Sequence, residues 1–306
     1  MLTVVILTYN EERHIVRSLS SIAGLGAKIV VVDSYSTDRT VELARSLGAE
    51  VFQNTFVNQS VQFQWALDTC GITTPWVMRL DADEVIEPDL AETILRRLPK
   101  LGPDVVGVNL NRKHIFMDRW IRYGGRYPLL LLRIWRTGQG RVENRWMDEH
   151  VVVWGGTTVT FEGGFADHNL NDLTYFTDKH NKYATREAVE VLNQKYGLFA
   201  PASALTRDAS SRQAAVKRWI KERVYNWVPY WLGPGGYFLY RYFVQLGFLD
   251  GRAGLIYHFL QGCWYRFLVA AKVIEYDTVL AGCADANARL VALQRMTGLK
   301  LVTPKS

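Results

Sequence analysis

One pattern in the first ninety residues constrains the fold more than any other. A short β-branched apolar run is followed by a polar cluster and then by helical spacing, and the unit recurs. Leu2–Thr8 is the first run and leads into "YNEERH"; Ile29–Asp33 is the second and leads into "SYSTDRT"; "PWVMRL" is a later one and leads into Asp81, Asp83 and Glu84. Between them, Ile15, Leu19 and Ile22 fall at helical spacing. "RTVELARSLG" follows a capping Thr37 or Asp38 and stops at Gly48, "AEVFQN" reads as a short strand, and Val61–Cys70 reads as a helix. The alternation predicts an α/β fold, with a mostly parallel sheet flanked by helices on both faces. Ligands of such sheets bind beyond the carboxyl ends of the strands. Thr8–Glu12, Asp33–Asp38 and Asp81–Glu84 all fall at those ends.

The chain has 306 residues, about half of them hydrophobic, enough for one large domain or a domain with an appendage. Cys70, Cys263 and Cys283 lie far apart with no CxxC pairing, which argues against a disulfide scaffold or a zinc site and fits a reducing compartment. The N-terminal apolar run is short and lacks a basic segment before it, so it reads as a strand rather than a leader, and a cytoplasmic location is expected. No segment reaches the ~18 uninterrupted apolar residues of a spanning helix.

The acidic cluster at the end of "VMRLDADEVIEPD" needs positive charge nearby, because crowded carboxylates repel one another. Asp81 and Asp83, two apart at a strand end, suit a hard cation such as Mg²⁺ or Mn²⁺ held by one or two carboxylates together with substrate phosphates. A solvated acidic turn is the plainer reading of the same letters. An EF-hand is excluded, because Ile86 stands where its sixth-position glycine is required.

"VVILTYNEERHI", "IVVVDSYSTDRTVELA" and "WVMRLDADEVI" stand in order at fitting distances. Together they resemble the family 2 glycosyltransferases of GT-A fold, above all the bacterial branch that acts on lipopolysaccharide core or exopolysaccharide. The resemblance implies a nucleotide-sugar pocket lined by Thr8, Tyr9, Asn10 and Glu11. Asp33 would accept a hydrogen bond from the base, Ser36 and Asp38 would sit beside it, and Asp81 would face the ribose or donor sugar. Asp83 would ligate the metal on the diphosphate, with His168 completing its shell. The general base would be Glu149, with Asp148 second, in "ENRWMDEHVVVWGG"; a loop acid paired with Arg145 is the alternative for Glu149. The resemblance thus implies an inverting transferase that moves a hexose from a nucleotide-diphosphate sugar, a UDP-sugar by family frequency. Its acceptor would be a lipid-linked, lipopolysaccharide or exopolysaccharide saccharide. Two other classes remain open: a non-catalytic scaffold of the same fold, and a haloacid-dehalogenase-type phosphatase, whose DxDx[TV] motif Asp81–Val85 matches in letters.

The catalytic domain is expected over residues 1–200 and a helical region over 201–306. "RQAAVKRWIKERVYNW" concentrates Lys217, Arg218, Lys221 and Arg223, and Trp231 opens a stretch of aromatics among short apolar runs. That pattern suits helices lying at the headgroup level of an anionic membrane, hence a peripheral enzyme of the inner membrane's cytoplasmic face. A core hairpin or a dimer interface is the competing reading. A nucleic-acid surface is not expected, because the aromatics are not interleaved with Lys and Arg.

Overall fold

The computed structural model describes residues 1–143, 150–199, 232–299 and 301. They fall into two compact units, the first from residues 1–143 and 150–170, the second from 171 onward.

The first unit is built on one sheet. Its opening half is β1 (Leu2–Thr8), β2 (Lys28–Asp33), β3 (Glu50–Gln53) and β4 (Trp76–Arg79), joined by α1 (Ile15–Ile22), α2 (Thr40–Ser46) and α3 (Gln59–Thr69). These four strands are parallel in the order β3-β2-β1-β4. The chain therefore runs outward from β1 to β3 and then returns to the other side of β1. In open α/β sheets the carboxyl ends of the strands at such a reversal, here β1 and β4, are the usual ligand site.

β1 is buried along its length except for a partly covered Leu7, as expected of a strand packed on both faces. The period-2 alternation divides it. Val4 and Ile6 pack with Ile15, Leu19 and Ile22 of α1, while Val5 packs with Val30, Val32 and Phe63 on the opposite face. Each fully buried aliphatic side chain contributes about 1.5–3 kcal/mol, so β1 is the spine of the unit.

Beyond β4 the sheet becomes mixed. The acidic motif does not continue the strand: it turns, and β5 (Glu84–Ile86) pairs antiparallel with a much later strand. α4 (Pro88–Arg97) follows, then β6 (Val105–Phe116), β7 (Arg119–Ile121) and β8 (Leu130–Arg136). A separate two-stranded ladder joins β9 (Gly140–Val142) to β10 (Val151–Val153), and β11 (Thr157–His168) closes the sheet in the order β4-β8-β6-β11-β5. At Gly163 the backbone takes φ +88, where a Cβ would sit 2.7 Å from the Leu90 amide nitrogen. Glycine is required there for α4 to lie against β11. The α/β class with helices flanking a parallel half is the one expected from the sequence.

The second unit is helical. α5 (Leu173–Tyr196) starts at Asp172, whose carboxylate caps the Tyr175 amide at 2.8 Å, and ends at Gly197 in the left-handed region. α6 (Leu232–Leu239), α7 (Gly251–Phe259), α8 (Tyr265–Ala281) and α9 (Ala286–Thr297) follow, with π-turns at Tyr240–Val244 and Leu260–Trp264. Ala188 and Leu192 of α5 pack with Tyr276 and Leu280 of α8 and with Leu290 and Leu293 of α9. His180 and Glu187 of α5 are engaged by neighbouring aromatic side chains. The His180 ring stacks on Phe176 at 3.9 Å, and Glu187 accepts from the Tyr265 hydroxyl at 2.6 Å. Among the described residues, no helix is long and apolar enough to cross a membrane. Lys217, Arg218, Lys221, Arg223 and Trp231 lie outside the described residues.

Candidate active site

Three loops meet at the carboxyl ends of β2, β1 and β4. The first two are tied together by a buried carboxylate. Asp33 ends β2 with no exposed surface and accepts four hydrogen bonds: from the Thr8 hydroxyl at 3.0 Å, the Ser36 amide at 2.9 Å, the Ser36 hydroxyl, and the Gln53 side-chain amide at 3.3 Å. A buried polar side chain costs free energy unless its hydrogen bonds are made in this way. Asn10 and Tyr35 adopt left-handed φ angles of 56° and 61° and turn the loops toward each other. The Asn10 amide donates to Ser36 Oγ at 2.8 Å, and Asn10 Oδ1 accepts from the Thr37 amide at 2.9 Å. Asp38 accepts from the Glu12 amide at 3.1 Å and from the Thr40 amide at 3.0 Å, so it closes the loop and serves the first turn of α2. Burial works against its ionised form, but the Thr40 hydroxyl and these amides hold Asp38 below the usual carboxylate range. Tyr9 stands exposed at the rim.

The acidic turn after β4 is organised by arginines. Asp81 accepts from Arg79 Nε at 3.2 Å and lies 3.5 Å from Arg133 of β8, while Glu84 meets Arg133 at 2.5 Å and also accepts the Asp81 amide at 2.9 Å. Part of the positive charge that the cluster demands is thus supplied by the protein itself. Burial opposes the ionisation of Asp81, but Arg79 and Arg133 overcome it and hold its carboxyl well below the usual range. Glu84, 2% exposed, is pushed up to about 8 by burial, with Asp81 and Asp167 adding to the shift and Arg133 opposing it.

Asp83 lies beyond these arginines. Its Oδ2 accepts from the Asn169 side chain at 2.9 Å, and its carbonyl accepts from the His168 amide at 3.0 Å, so the end of β11 fixes the turn. His168 is engaged on both ring nitrogens. Arg17 can only donate, so the 2.9 Å contact from its guanidinium makes Nδ1 the acceptor; Nε2 then carries the proton and donates to Asp118 at 3.1 Å. Burial lowers the Arg17 pKa while Asp83 and Asp118 oppose that shift. His14, 1% exposed, is fixed in the other tautomer: Nε2 accepts from the Leu170 amide at 2.9 Å, so Nδ1 donates to Glu11 at 2.6 Å.

Among the described residues, no group of three or more His, Cys, Asp or Glu side chains is arranged to hold a metal ion. The chemistry of Asp83 nevertheless fits a cation that takes one protein carboxylate and completes its shell with phosphate and water. Asp81 is committed to arginines, and His168 in this arrangement presents no lone pair to a cation. Glu149 and Asp148 lie outside the described residues.

The structure thus brings Thr8, Asn10, Asp33, Ser36 and Asp38 into one hydrogen-bonded cage. It sets Asp81 and Asp83 on the turn that follows the neighbouring strand. Arg133, Gln53, Asn169 and Arg17 were missed from sequence. Of these, only Arg133 left a signal, as a lone cation in the apolar run "LLLLRIW". Gln62 is fully buried; it donates to Ser34 at 3.2 Å and accepts from Asn54 at 2.8 Å. The phosphatase alternative fares poorly, because its nucleophile would be Asp81, held between two guanidinium groups.

The family model for glycosyl transferase family 2 matches residues 3–168, more than half of the chain and nearly all of the first unit. The chain belongs to glycosyl transferase family 2. Within this family it is 26% identical to the lipopolysaccharide core biosynthesis glycosyltransferase LpsC of Rhizobium meliloti, over 92% of this chain and 94% of that protein. It is 36% identical to an uncharacterized glycosyltransferase of Rickettsia typhi over 89 residues, 29% of this chain; the match spans 30% of the length of that relative. Among solved structures it is similar to a glucosyl-3-phosphoglycerate synthase from Mycobacterium tuberculosis, crystallised with Mn²⁺, UDP and glucosyl-3-phosphoglycerate. That likeness has 22% identity, 37% and 44% coverage of the two chains and a TM-score of 0.32.

Proposed function

We propose that the chain transfers a hexose, with inversion, from a nucleotide-diphosphate sugar to a lipid-linked or lipopolysaccharide-type saccharide at a cytoplasmic membrane face. The observation that carries this reading is the Asp33-centred cage beside the Asp81–Glu84 turn, at the two strands where the sheet reverses direction. Asp33, Ser36 and Asp38 with Thr8–Glu11 form the nucleoside side of the site. Asp33 accepts a donor N–H of the base, such as the imide of uracil, by giving up one of its four hydrogen bonds within the cage. Asp81 faces the ribose or sugar, and its two arginines keep it anionic. Asp83 is the residue to hold Mg²⁺ or Mn²⁺, which when bound neutralises charge on the departing diphosphate.

Glu149, with Asp148 as second choice, takes the proton from the acceptor hydroxyl as its oxygen bonds to the anomeric carbon and the nucleoside diphosphate leaves from the opposite face. That geometry inverts the anomeric centre. The full-length likeness to LpsC supports a saccharide acceptor of the lipopolysaccharide core kind. The run Lys217, Arg218, Lys221 and Arg223 supports docking on anionic lipid.

A thermal-shift panel of nucleotide sugars with Mg²⁺ and Mn²⁺ tests the donor assignment. A true donor at about a hundredfold over its dissociation constant stabilises by about 2.7 kcal/mol. No shift with any nucleotide sugar, with either cation, would refute it.

A further inference from the structure

Residues 232–267 of the helical unit have their polarity turned inside out. Leu239, Phe243, Val244, Leu246, Phe248 and Leu249 surround the turn between α6 and α7 and are 42–69% exposed. In the same stretch Arg241, Asp250 and His258 are 5% exposed or less. A helical pair facing water places these two classes of side chain the other way round.

The inversion is built into the chain. The Asp250 carboxylate lies 3.7 Å from the His258 imidazole, and the Arg241 guanidinium lies over the Tyr237 and Tyr257 rings. Glycines make the interior close enough for this. A Cβ on Gly247 would meet the His258 ring at 2.7 Å, and one on Gly254 would meet Asp250 Cβ at 2.5 Å. The ionisable groups are thereby enclosed in a small polar core, and the apolar side chains are left outside.

Charge indicates what covers that exterior. Asp250 is the only acid between residues 232 and 267, and it is buried, so the exposed surface of this stretch carries no negative charge. Arg252 is exposed, and the sequence leading into α6, "RQAAVKRWIKERV", holds five basic residues against one acid. Apolar tip, enclosed charges and a basic approach together match an anionic lipid leaflet. At 1.5 Å per residue, α6 with its π-turn reaches about 20 Å, short of the roughly 30 Å hydrocarbon core. A turn of this length enters one leaflet and returns.

We infer that the Leu239–Leu249 turn is a monotopic wedge that inserts its apolar side chains into one leaflet of an anionic bilayer. The inference deepens the proposed membrane-face reading and rests on it only for the location. Insertion goes beyond electrostatic docking, because it holds when charges are screened.

Flotation of the full chain with vesicles of mixed neutral and anionic phospholipid, without donor or acceptor, tests it. The wild type is expected to stay bound in about 1 M salt, where charges are screened beyond about 3 Å. The double variant F243E/V244E alters two exposed positions, so its melting temperature and solution mass should match the wild type. Its vesicle partition should fall about tenfold or more. Charge reversal at Lys217, Arg218 and Lys221 should weaken binding only at low salt. Three results would overturn the wedge: release of the wild type by salt, flotation of F243E/V244E equal to wild type, or a change of that variant's oligomeric state with flotation unaltered. Donor binding measured in solution, with vesicles absent, separates failure of the wedge from failure of the proposed chemistry.

Discussion

Arg133, whose side chain is 6% exposed, donates to Glu84 at 2.5 Å and so fastens the antiparallel strand β8 to the acidic turn that follows β4. The pair joins two halves of the sheet that the chain builds about fifty residues apart. Removing Arg133 leaves the buried Glu84 carboxyl without its donor and Asp81 with one guanidinium fewer. Arg133→Leu is therefore expected to destabilise the protein by about 1–3 kcal/mol in denaturant unfolding at neutral pH. Stability equal to wild type would mean that the pair is not buried as described.

The same cluster sets a pH dependence. The Glu84 pKa is raised from its ordinary 4.5 to about 8, so between those values the folded protein holds a proton that the unfolded chain has lost. Stability therefore falls as pH rises through that window. Asp81 acts in the opposite sense, because its lowered pKa contributes stability that is lost only under acid conditions. Thermal melts from pH 5 to 9 (about the span of these titrations) should decline toward alkali in the wild type, and Glu84→Gln should flatten the decline. A wild-type profile that rises across the window would contradict the assignment.

Thr8→Val removes one of the four hydrogen bonds to Asp33 while keeping the side-chain shape. The expected loss is about 1 kcal/mol of stability, together with weaker nucleotide-sugar binding, because the cage then holds Asp33 less firmly. Calorimetric titration of a UDP-sugar checks it. Unchanged affinity with the expected stability loss would show that the cage is structural only.

Gly163→Ala should destabilise by about 1–3 kcal/mol. The clash at 2.7 Å is with the backbone nitrogen of Leu90, not with a side chain able to swing away. Because α4 carries no site residue, donor affinity of the folded fraction should stay unchanged.

Much of the first unit is legible in its sequence because local pattern and tertiary environment agree. Leu2–Thr8 is found as the strand read from its β-branched run, and Ile15, Leu19 and Ile22 are buried as their spacing requires. The cage around Asp33 could be anticipated as a cluster, since Thr8 and Asp33 end adjacent strands. Its satisfying partner Gln53 could not, because a glutamine at the end of a short edge strand carries no signal of its own. β5 was hidden for a related reason: three residues inside an acidic motif look like a continuation of β4, and their true partner, β11, is about eighty residues away. His168 shows the limit from the other side. A lone histidine after "FAD" suggests a metal ligand, and only the fold reveals that Arg17, from the first helix, occupies its lone pair.

That geometry yields a further expectation. His168→Gln should leave the cation affinity of the donor complex within about tenfold of wild type (1.4 kcal/mol), as read by Mn²⁺ titration in the presence of UDP. A complete loss of Mn²⁺ binding would make His168 a ligand and require Arg17 to move aside.

In the proposed function, the carboxyl ends of β1 and β4 bind a nucleotide diphosphate together with a divalent cation held by Asp83. Calorimetric titration of UDP-sugar into wild type and Asp83→Ala, each with Mn²⁺ and with EDTA, tests this most directly. Tight binding only for wild type with Mn²⁺, with both proteins melting alike, is the predicted result. Equal affinity in all four titrations would contradict it.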